Sequence, residues 1–453
     1  MTETTEAPLS YAQQLLAAFA ARDGGGVYGD GFVNWCAHEL AGPLRLPDLR
    51  RALDALVVRH GALRTVVVRD EGFPYQRVGA PAPVPLSVHE VLTDDADERL
   101  AATAEVTAEA LTQPLPSDRI PLVAAHLVRF GPIDSALILL IHRTVADGWT
   151  MQVAMRDVLA AYERLRSGSD PTGDPVPQYA DHALAATMPG REKRLRDAMP
   201  YWHERLAGVR RVGIPPDRPR DPRSPAPVKA LYTFELDDAT VTGLHRRARA
   251  LRTTDFTLLL TAYAAALASR TGAPRVVVPV LSAGRSASEW DSIGFYLNGH
   301  VLPIDLGGDP TGVEAVARVH RANAEALAND VPLIRVLEEL PDLAEAAFDA
   351  RDVVPAPMQL CRPIPRSERA ATVTCRRLAL PPRIVREEPV MPVDFLWVME
   401  PYTSFVVRVT YQPAMFDEAT VAAVAAVFRT ALDRIVAAPH EPLPLPSTPA
   451  VAR

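Results

Sequence analysis

The chain has 453 residues, a net charge of −7 at pH 7, and a composition of 48% hydrophobic and 23% charged residues. This length exceeds a single hydrophobic core and predicts two or three lobes of about 150 to 200 residues each. The ordinary balance of apolar and charged residues argues against a disordered chain. The acidic net charge argues against a nucleic-acid surface, because neutralising phosphates requires a clustered excess of Lys and Arg, although a local basic patch can still bind an acidic partner.

The cysteines and the amino terminus bear on the cellular compartment. Cys36, Cys361 and Cys375 are odd in number and lack metal-ligand spacing, so we expect buried thiols in a reducing compartment and no bound metal. The first residues lack the basic and apolar regions of a signal peptide, and no window approaches ~20 unbroken apolar residues. A cytoplasmic protein without a membrane partner is expected, and the initial methionine and single set of motifs favour a free-standing chain.

Hydrophobic periodicity and turn residues predict a first lobe that mixes helices and strands. Ser10 can cap the first helix, and Pro47 suits the first turn of the second. The last two strands are separated by a turn sequence, Phe130 to Asp134, and are expected to form an antiparallel hairpin. In chain order the predicted elements are helices at 10–21 and 47–59, strands at 65–68, 122–129 and 135–141, and a helix at 150–166.

A connector separates this lobe from the next. Residues 167–177 are rich in Gly, Pro, Ser and Asp, which places the lobe boundary there and divides the chain into 1–172 and 173–453. The second lobe also mixes helices and strands, so the sequence predicts an α/β protein. Its predicted helices lie at 191–207, 238–250, 254–271, 311–328, 333–347 and 417–437, and its strands at 275–281, 299–306 and 404–411.

Two further segments are rich in proline, Gly213–Pro227 and Pro355–Pro365. Proline resists both the helix interior and the central strand of a sheet, so we expect extended surface crossings. These crossings either bridge the lobes and take part in function or are plain tethers.

The most informative sequence is Ile-His-Arg-Thr-Val-Ala-Asp-Gly-Trp-Thr at residues 141–150, directly after the apolar run 136–140. That run predicts a buried strand. His142, Arg143 and Asp147 therefore come together at a strand's carboxyl end, where open α/β architectures place their chemistry. Because side chains alternate along a strand, His142 and Arg143 are expected on opposite faces if the strand stays regular.

Residues 142–148, His-Arg-Thr-Val-Ala-Asp-Gly, resemble the His-His-x-x-x-Asp-Gly signature of the condensation-domain superfamily, with Arg143 replacing the second histidine. That superfamily includes peptide-synthetase condensation domains, carrier-protein acyltransferases and chloramphenicol acetyltransferase. Other stretches resemble family elements in family order, although Gly61 replaces a glutamate and His182 a tyrosine of the family patterns. These stretches are Leu9–Gln14, Arg59–Thr65, Tyr179–Ala183 and Ile293–Asn298.

The resemblance implies an α/β fold of two chloramphenicol-acetyltransferase-like lobes in a V shape with a central tunnel. Phosphopantetheine arms of acyl or peptidyl carrier proteins would enter the tunnel from opposite faces. A thioester would then meet a small-molecule nucleophile at the histidine motif. No permanently bound cofactor is implied, because the phosphopantetheine thioester arrives with the carrier protein. The implied setting is nonribosomal peptide synthesis and antibiotic biosynthesis in secondary metabolism.

The resemblance also implies roles for individual residues. His142 is expected to be a packed, hydrogen-bonded core residue, and Asp147 to form a buried ion pair with Arg64. Gly148 allows close backbone approach or a positive φ, and its amide can face the reacting carbonyl. The candidate contacts to substrate or carrier are Trp149, Ser282, Arg285 and Asn298, of which Ser282 and Arg285 lie in a stretch that resembles the family's latch segment.

Acyl transfer requires removal of the nucleophile's proton and stabilisation of the tetrahedral oxyanion. A guanidinium, with a pKa above about 12, cannot accept that proton. Arg143 can instead stabilise an oxyanion, bind a carboxylate or phosphate in bidentate fashion, or plug the tunnel through an internal ion pair. His300, on a predicted strand, is the best candidate for a replacement base, with an ordinary packing histidine as the alternative.

Two functions remain open on this sequence. The first is a free-standing condensation-type acyltransferase that forms an amide or ester from a carrier-protein thioester, which the retained Asp-Gly-Trp at 147–149 favours. The second is a catalytically silent condensation-like module that binds carrier proteins or recruits a tailoring enzyme. Recruitment domains of the superfamily also carry His-Arg at this place, which favours the second function. The candidate catalytic residues are His142, Arg143, Asp147, Gly148 and His300.

Overall fold

The structure is a computed structural model of the chain. It describes residues 5–21, 26–69, 73–209, 211–220, 229–348, 351–361, 372–380, 393–401 and 404–445, and the backbone of 368–370. Contacts divide the chain into two compact units. The first comprises 1–192, 283–297 and 364–392, and the second comprises 193–282, 298–363 and 393–453. The predicted lobe boundary at 172/173 remains a prediction about domains. We call residues 283–297 the return segment, because they bring the chain back to the first unit.

Helices and strands are mixed throughout both units, which confirms the predicted α/β class. The strands are β1 (Thr5–Pro8), β2 (Val33–Ala41), β3 (Thr65–Val68), β4 (Tyr75–Val78), β5 (Leu86–Glu90), β6 (Val123–Arg129), β7 (Asp134–His142), β8 (Ala230–Leu236), β9 (Arg275–Ser282), β10 (Asn298–Asp305), β11 (Met358–Leu360), β12 (Glu368–Ala370), β13 (Val373–Arg377), β14 (Phe395–Pro401) and β15 (Phe405–Tyr411). The helices are α1 (Tyr11–Ala20), α2 (Leu46–Arg59), α3 (Ala96–Thr112), α4 (Gly148–Ser167), α5 (Tyr179–Ala186), α6 (Pro189–Leu206), α7 (Asp238–Ala250), α8 (Asp255–Thr271), α9 (Gly312–Ala328), α10 (Leu333–Glu339), α11 (Pro341–Phe348) and α12 (Glu418–Ala437).

The first unit is built on a six-stranded sheet in the order β12-β13-β2-β7-β6-β5, beside a small sheet β1-β4-β3. The apolar run Ala136–Ile141 forms the centre of β7, and its side chains are at most 3% exposed. The predicted hairpin is confirmed, because β6 and β7 pair antiparallel. The sheet thus holds the end of β7 rigidly, which fixes where the motif at 142–148 begins.

Strand β2 was not predicted from the sequence, although it pairs with β7 on one side and with β13 on the other. Its polar residues, among them His38 and Glu39, break the apolar alternation that identifies a strand. Burial, together with the charge of Arg377, lowers the pKa of His38 to about 3, so the imidazole is neutral in the sheet. Pairing on both sides, which is a tertiary effect, overrides the weak local signal here.

The second unit contains a six-stranded sheet in the order β10-β9-β11-β14-β15-β8. The prediction of a surface crossing at Pro355–Pro365 was wrong for its first half, because Met358–Leu360 forms β11 between β9 and β14. Pro357 precedes the first paired residue, so its missing N–H costs the ladder no hydrogen bond there. Of these two proline-rich segments, residues 221–227 and 362–365 lie outside the described part.

Helix ends mostly follow the local signals. Ser10 caps α1 through a complete capping box with Gln13, as the first helix prediction required. The single helix predicted at 333–347 was wrong, because the chain forms α10 and α11 there. Pro341 begins the second of these, since proline lacks an N–H and suits the first helical position rather than an interior one.

Two sequence expectations about the whole chain bear on its environment. Cys36 and Cys375 are buried as expected, whereas Cys361 is half-buried. Burial raises the pKa of the Cys36 thiol to about 11, so this thiol is protonated and unreactive at neutral pH. Among the helices in the described ranges, none combines the length and the hydropathy needed to cross a lipid bilayer.

Candidate active site

The candidate motif forms a strand, a short turn and a helix start. Strand β7 ends at His142, residues Arg143–Val145 form a 3-10 turn, and Asp147 caps α4. The carboxylate of Asp147 accepts the Thr150 N–H at 2.9 Å, which satisfies one of the free amides of the first helical turn. The expectation of opposite faces assumed a strand that continues through Arg143, whereas the strand ends one residue earlier.

His142 has both ring nitrogens engaged. Nε2 lies 3.1 Å from the Gly29 carbonyl oxygen, which can only accept, so Nε2 carries the proton. Nδ1 then accepts the N–H of Thr144 and lies 2.8 Å from its hydroxyl. Burial is the main cause that lowers the pKa of His142 to about 4, which keeps the ring neutral at pH 7. These contacts favour the structural interpretation of His142 over a catalytic one.

This lowered pKa predicts a pH-dependent stability. Between about pH 6.5, where an unfolded imidazole titrates, and about pH 4, the unfolded chain binds a proton that folded His142 does not. The contribution of His142 to the free energy of unfolding therefore decreases as the pH falls through this window. We expect the difference in unfolding free energy between wild type and His142→Gln, measured in urea, to shrink from pH 7 to pH 4. A constant difference would contradict the prediction.

Arg143 is anchored at the start of the turn. Its backbone N–H donates to the Phe32 carbonyl at 2.8 Å, and its Nε donates to the Val33 carbonyl at 2.9 Å. The guanidinium carbon lies 5.5 Å from the centre of the Phe32 ring, within the range of a cation–π contact. The Nε end of the guanidinium is thus held by the first residue of β2, in a half-buried position.

Asp147 forms the buried ion pair of the site, and its partner corrects a prediction. Its two carboxylate oxygens accept from the two terminal nitrogens of Arg285 at 2.5 and 3.0 Å, a bidentate arrangement. The side chains of Arg285 and Asp147 are 0% and 6% exposed. The predicted partner, Arg64, instead donates to the carbonyls of Gly79 and Val57. The reason is positional, because the return segment brings Arg285 to Asp147 from 138 residues away.

The same geometry corrects the role assigned to Arg285. A fully buried guanidinium that also donates to Gly294 O and Thr150 Oγ1, each at 3.1 Å, is not available as a substrate or carrier contact. The Trp149 indole donates to the Trp290 carbonyl at 2.9 Å, so this tryptophan also contacts the return segment. Substrate contact by Trp149 remains a prediction.

The family-like stretches converge on one hydrogen-bond network around the motif. The hydroxyl of Ser10 lies 2.5 Å from that of Tyr179, which donates to the Phe295 carbonyl. The amide nitrogen of Gln13 donates to the Thr144 carbonyl at 3.1 Å. Residues from three other parts of the first unit therefore fix the loop, and buried networks of this kind specify one arrangement.

Two glycines near the motif differ in their surroundings. Gly148 has no positive φ, and nothing lies within 4 Å of an added Cβ, so the left-handed conformation is absent at this residue, and approach of a reacting carbonyl to its amide remains a prediction. The cap at Asp147 and the preceding 3-10 turn already reverse the chain. At Gly294, by contrast, an added Cβ would lie 2.3 Å from Tyr179 and 2.6 Å from Tyr296.

The different surroundings of these two glycines lead us to expect different changes in stability when each is replaced by alanine. Gly294→Ala forces buried tyrosine rings to move, so we expect a loss of about 1–3 kcal/mol in the free energy of unfolding. Gly148→Ala meets open space and is expected to change stability by less than about 1 kcal/mol. Urea unfolding of both variants measures the contrast. Equal losses would show that the backbone around Gly148 is more constrained than these contacts indicate.

The remaining candidates belong to the second unit. His300 on β10 is buried, with Nε2 3.0 Å from Asp330 Oδ1, and its ring centre is 5.9 Å from that of Trp202. Burial lowers the pKa of His300 although Asp330 opposes this effect. Asn298 accepts the Leu333 N–H at 2.9 Å, which supports the start of α10. Ser282 Oγ approaches the carbonyl of Asn298 at 3.5 Å, so these two polar residues support neighbouring strands in the structure.

The described residues contain no group of three or more His, Cys, Asp or Glu side chains placed to hold a metal ion.

The network that holds the motif loop was only partly predictable from the sequence. The stretches containing Ser10, Tyr179 and Phe295 stood out individually, but their mutual contacts join residues more than 100 positions apart. A resemblance to the latch segment was the only sequence signal for Arg285.

Comparisons with known proteins point to one family. A family model described as Condensation domain matches residues 4–449. Chondramide synthase cmdD of Chondromyces crocatus is 30% identical over 447 residues, which are 95% of this chain and 11% of that protein. Phosphinothricin tripeptide synthetase PhsC of Streptomyces viridochromogenes is 33% identical over 301 residues, 66% of this chain and 28% of that protein. The chain therefore spans a minor part of the curated relatives it matches.

Solved structures agree with this match. The SgcC5 protein of Streptomyces globisporus has a TM-score of 0.82 and 28% identity, covering 96% of this chain and 100% of that chain. The X-domain from teicoplanin biosynthesis has a TM-score of 0.78 and 23% identity, covering 98% of each chain, and this likeness concerns the fold alone.

Proposed function

Since this chain belongs to the condensation-domain family, we propose that it is a condensation-type acyltransferase. It takes an acyl or peptidyl group from the phosphopantetheine thioester of a carrier protein and passes it to an amine or hydroxyl group of a small molecule. The nucleophile bonds to the carbonyl carbon, the carbon–sulfur bond breaks, and the thiol leaves with the proton released by the nucleophile. The chain itself holds no permanent cofactor in this scheme.

One observation carries the proposal, namely the complete framework around a motif in which one residue differs. Asp147 keeps its cap to α4 and its bidentate ion pair, and Gln13 keeps the loop in place through the Thr144 carbonyl. A buried, bidentate ion pair of this kind holds Asp147 and the turn before α4 in one arrangement. A fixed arrangement supports a loop that positions a reacting group.

The proton step distinguishes this chain from one with two histidines. His142 uses both ring nitrogens within the loop, and Arg143 is permanently charged. A neutral amine attacks through its lone pair without prior deprotonation, so the departing thiolate is the simplest acceptor of the proton that is then released, and His300 is the alternative base in the chain. The lowered pKa of His300 keeps the ring neutral at pH 7, which a general base requires.

Arg143 contributes charge in this proposal. The hydrogen bond from Nε to the Val33 carbonyl fixes one end of the guanidinium, next to the end of β7. A fixed cation next to a developing oxyanion lowers the barrier without reorganisation during the reaction. Holding the two reactants in line supplies the remaining effect, and such positioning alone is worth about 7–11 kcal/mol in favourable cases.

A second candidate function has its own observation. The contacts of Arg143 with Val33 and Phe32 are the kind a purely structural guanidinium makes. They favour a silent module that binds carrier proteins or recruits a tailoring enzyme.

The two functions differ in the fate of a bound thioester. The test incubates the protein with a panel of acyl-loaded carrier proteins and pooled amines and alcohols, and follows the intact mass of each carrier. Binding of the same carriers is measured in parallel by fluorescence anisotropy. Arg376→Ala, at an exposed surface ion pair with Glu39, is the matched control and is expected to behave as wild type.

An acyltransferase lowers the acylated fraction of at least one carrier and forms the matching amide or ester. A carrier that binds and keeps its acyl group across the whole panel supports the silent module instead. Absence of binding to every carrier would count against both functions.

A further inference from the structure

The return segment is held to α5 by a contact between two ionisable groups. Nδ1 of His182 lies 2.6 Å from Oε1 of Glu289 in the return segment. Their side chains are 29% and 14% exposed, so solvent screens the contact only in part. The family pattern has a tyrosine at the position of His182. In this chain an imidazole therefore replaces a phenol at this place.

Two aromatic rings orient the imidazole. The Tyr179 ring is nearly parallel to that of His182, with centroids 5.9 Å apart and planes at 7°. The Tyr296 ring meets it edge to face, with centroids 4.8 Å apart and planes at 66°. Tyr296 itself belongs to the return segment, so the imidazole is enclosed by the elements it connects. The rotation that would turn Nδ1 away from Glu289 is restricted on both sides.

The carboxylate of Glu289 is held in position to accept a hydrogen bond from His182. Its second oxygen, Oε2, accepts the backbone N–H of Ser286 at 2.9 Å and the Ser286 hydroxyl at 2.6 Å, which leaves Oε1 for His182. Burial raises the pKa of Glu289, but the hydrogen bonds from His182 and Ser286 outweigh burial and lower it to about 2. Glu289 is therefore a carboxylate throughout the range in which an imidazole titrates.

The return segment also carries the groups that hold the motif. Arg285 forms the bidentate pair with Asp147, and the backbone N–H of Tyr296 donates to the same carboxylate at 3.1 Å. We propose that His182 is a positioning residue. Its protonated form binds Glu289 and so holds the return segment against α5, which keeps Arg285 paired with Asp147. His182 acts through these residues and does not itself meet a substrate.

The surroundings set the direction of the pH effect. Glu289 is the charged group bonded to His182, Asp181 is its neighbour on α5, and the elements packed closely on α5 also carry Glu6 and Arg64. A protonated imidazole donates a charge-assisted hydrogen bond, which is roughly twice as strong as a neutral one. The contact between His182 and Glu289 is thus stronger with a protonated than with a neutral imidazole, and deprotonation at higher pH weakens it.

The test is amide hydrogen exchange of the return segment at pH 5.5 and pH 8, read by mass spectrometry and corrected for intrinsic exchange rates. In the wild type we expect protection of peptides covering 283–297 to fall about fivefold at the higher pH. His182→Gln keeps a neutral donor and is expected to remove this dependence on pH. His203→Gln, in the exposed pair with Glu339 of the second unit, is the matched control and keeps the wild-type profile.

Several outcomes bear on the proposal directly. Protection of the wild-type segment that is equal at both pH values overturns it, as does a His182→Gln variant that retains the full dependence. If His182→Gln does not fold, Glu289→Gln serves instead, because it keeps an acceptor without charge and is expected to abolish the dependence as well. The readout is exchange and not turnover, so the result is independent of acyl-transfer activity.

Discussion

Replacing Arg285 with alanine is expected to lower the free energy of unfolding by about 3–5 kcal/mol, because it leaves the carboxylate of Asp147 buried without its counter-charge. The lost contacts include both bidentate hydrogen bonds and those to Thr150 and Gly294. Urea unfolding at pH 7 measures the change. Arg285→Lys keeps the charge but not the planar fork, so an intermediate loss is expected.

Two controls make this result specific. Arg376→Ala removes one partner of a surface pair in which the side chains are 56% and 30% exposed, and is expected to cost less than about 1 kcal/mol. Arg64→Ala, at the residue that sequence resemblance paired with Asp147, is expected to cost about 1–3 kcal/mol through its lost bonds to carbonyls. A loss for Arg64→Ala that exceeds the loss for Arg285→Ala would contradict the observed pairing.

Replacing Arg143 with alanine is expected to slow acyl transfer by about 100- to 1,000-fold, the usual cost of removing one group that stabilises an oxyanion. The effect should appear in the single-turnover rate of a bound acyl carrier more than in carrier affinity, because the charge acts in the transition state. Intact-mass measurement of the carrier over time gives this rate. Arg143→Lys is expected to recover part of it.

The comparison variant for this experiment is Arg129→Ala, which removes a surface arginine paired with Glu90 in the same unit. Its transfer rate is expected to match that of the wild type. An unchanged rate in Arg143→Ala would assign the guanidinium a structural role through Val33 and Phe32. In that case, a drop in unfolding free energy without a drop in rate is the signature to look for.

Local sequence signals predicted six elements of the first unit, namely α1, α2, β3, β6, β7 and α4. The capping residue Ser10, the apolar run of β7 and its turn to β6 each depend on residues within a few positions of one another. Strand β11 was not predicted because it has only three residues and prolines lie on both sides of it. Its pairing with β9 and β14 makes it a strand. Strand β2 was not predicted because its polar residues break the apolar alternation, and pairing with β13 and β7 overrides this weak local signal.

The candidate site divides in the same way. That His142 and Asp147 lie at the end of a buried strand followed by a helix could be predicted, because a run of apolar residues and an N-cap are local features. The partner of Asp147 could not, since Arg64 and Arg285 are equally able to form an ion pair by chemistry alone. The contact between His182 and Glu289 spans 107 positions and had no sequence signal.

The sequence by itself determined the α/β class, the strand, turn and helix of the motif, and the replacement of a titrating imidazole by a permanently charged guanidinium at Arg143. These follow from the order of apolar, polar and capping residues along a short stretch of chain. Only the tertiary structure decided which charges meet, because ion pairs and hydrogen bonds depend on distances of about 3 Å that the return of a remote segment establishes. Arg285 at Asp147 and Glu289 at His182 are both of this kind.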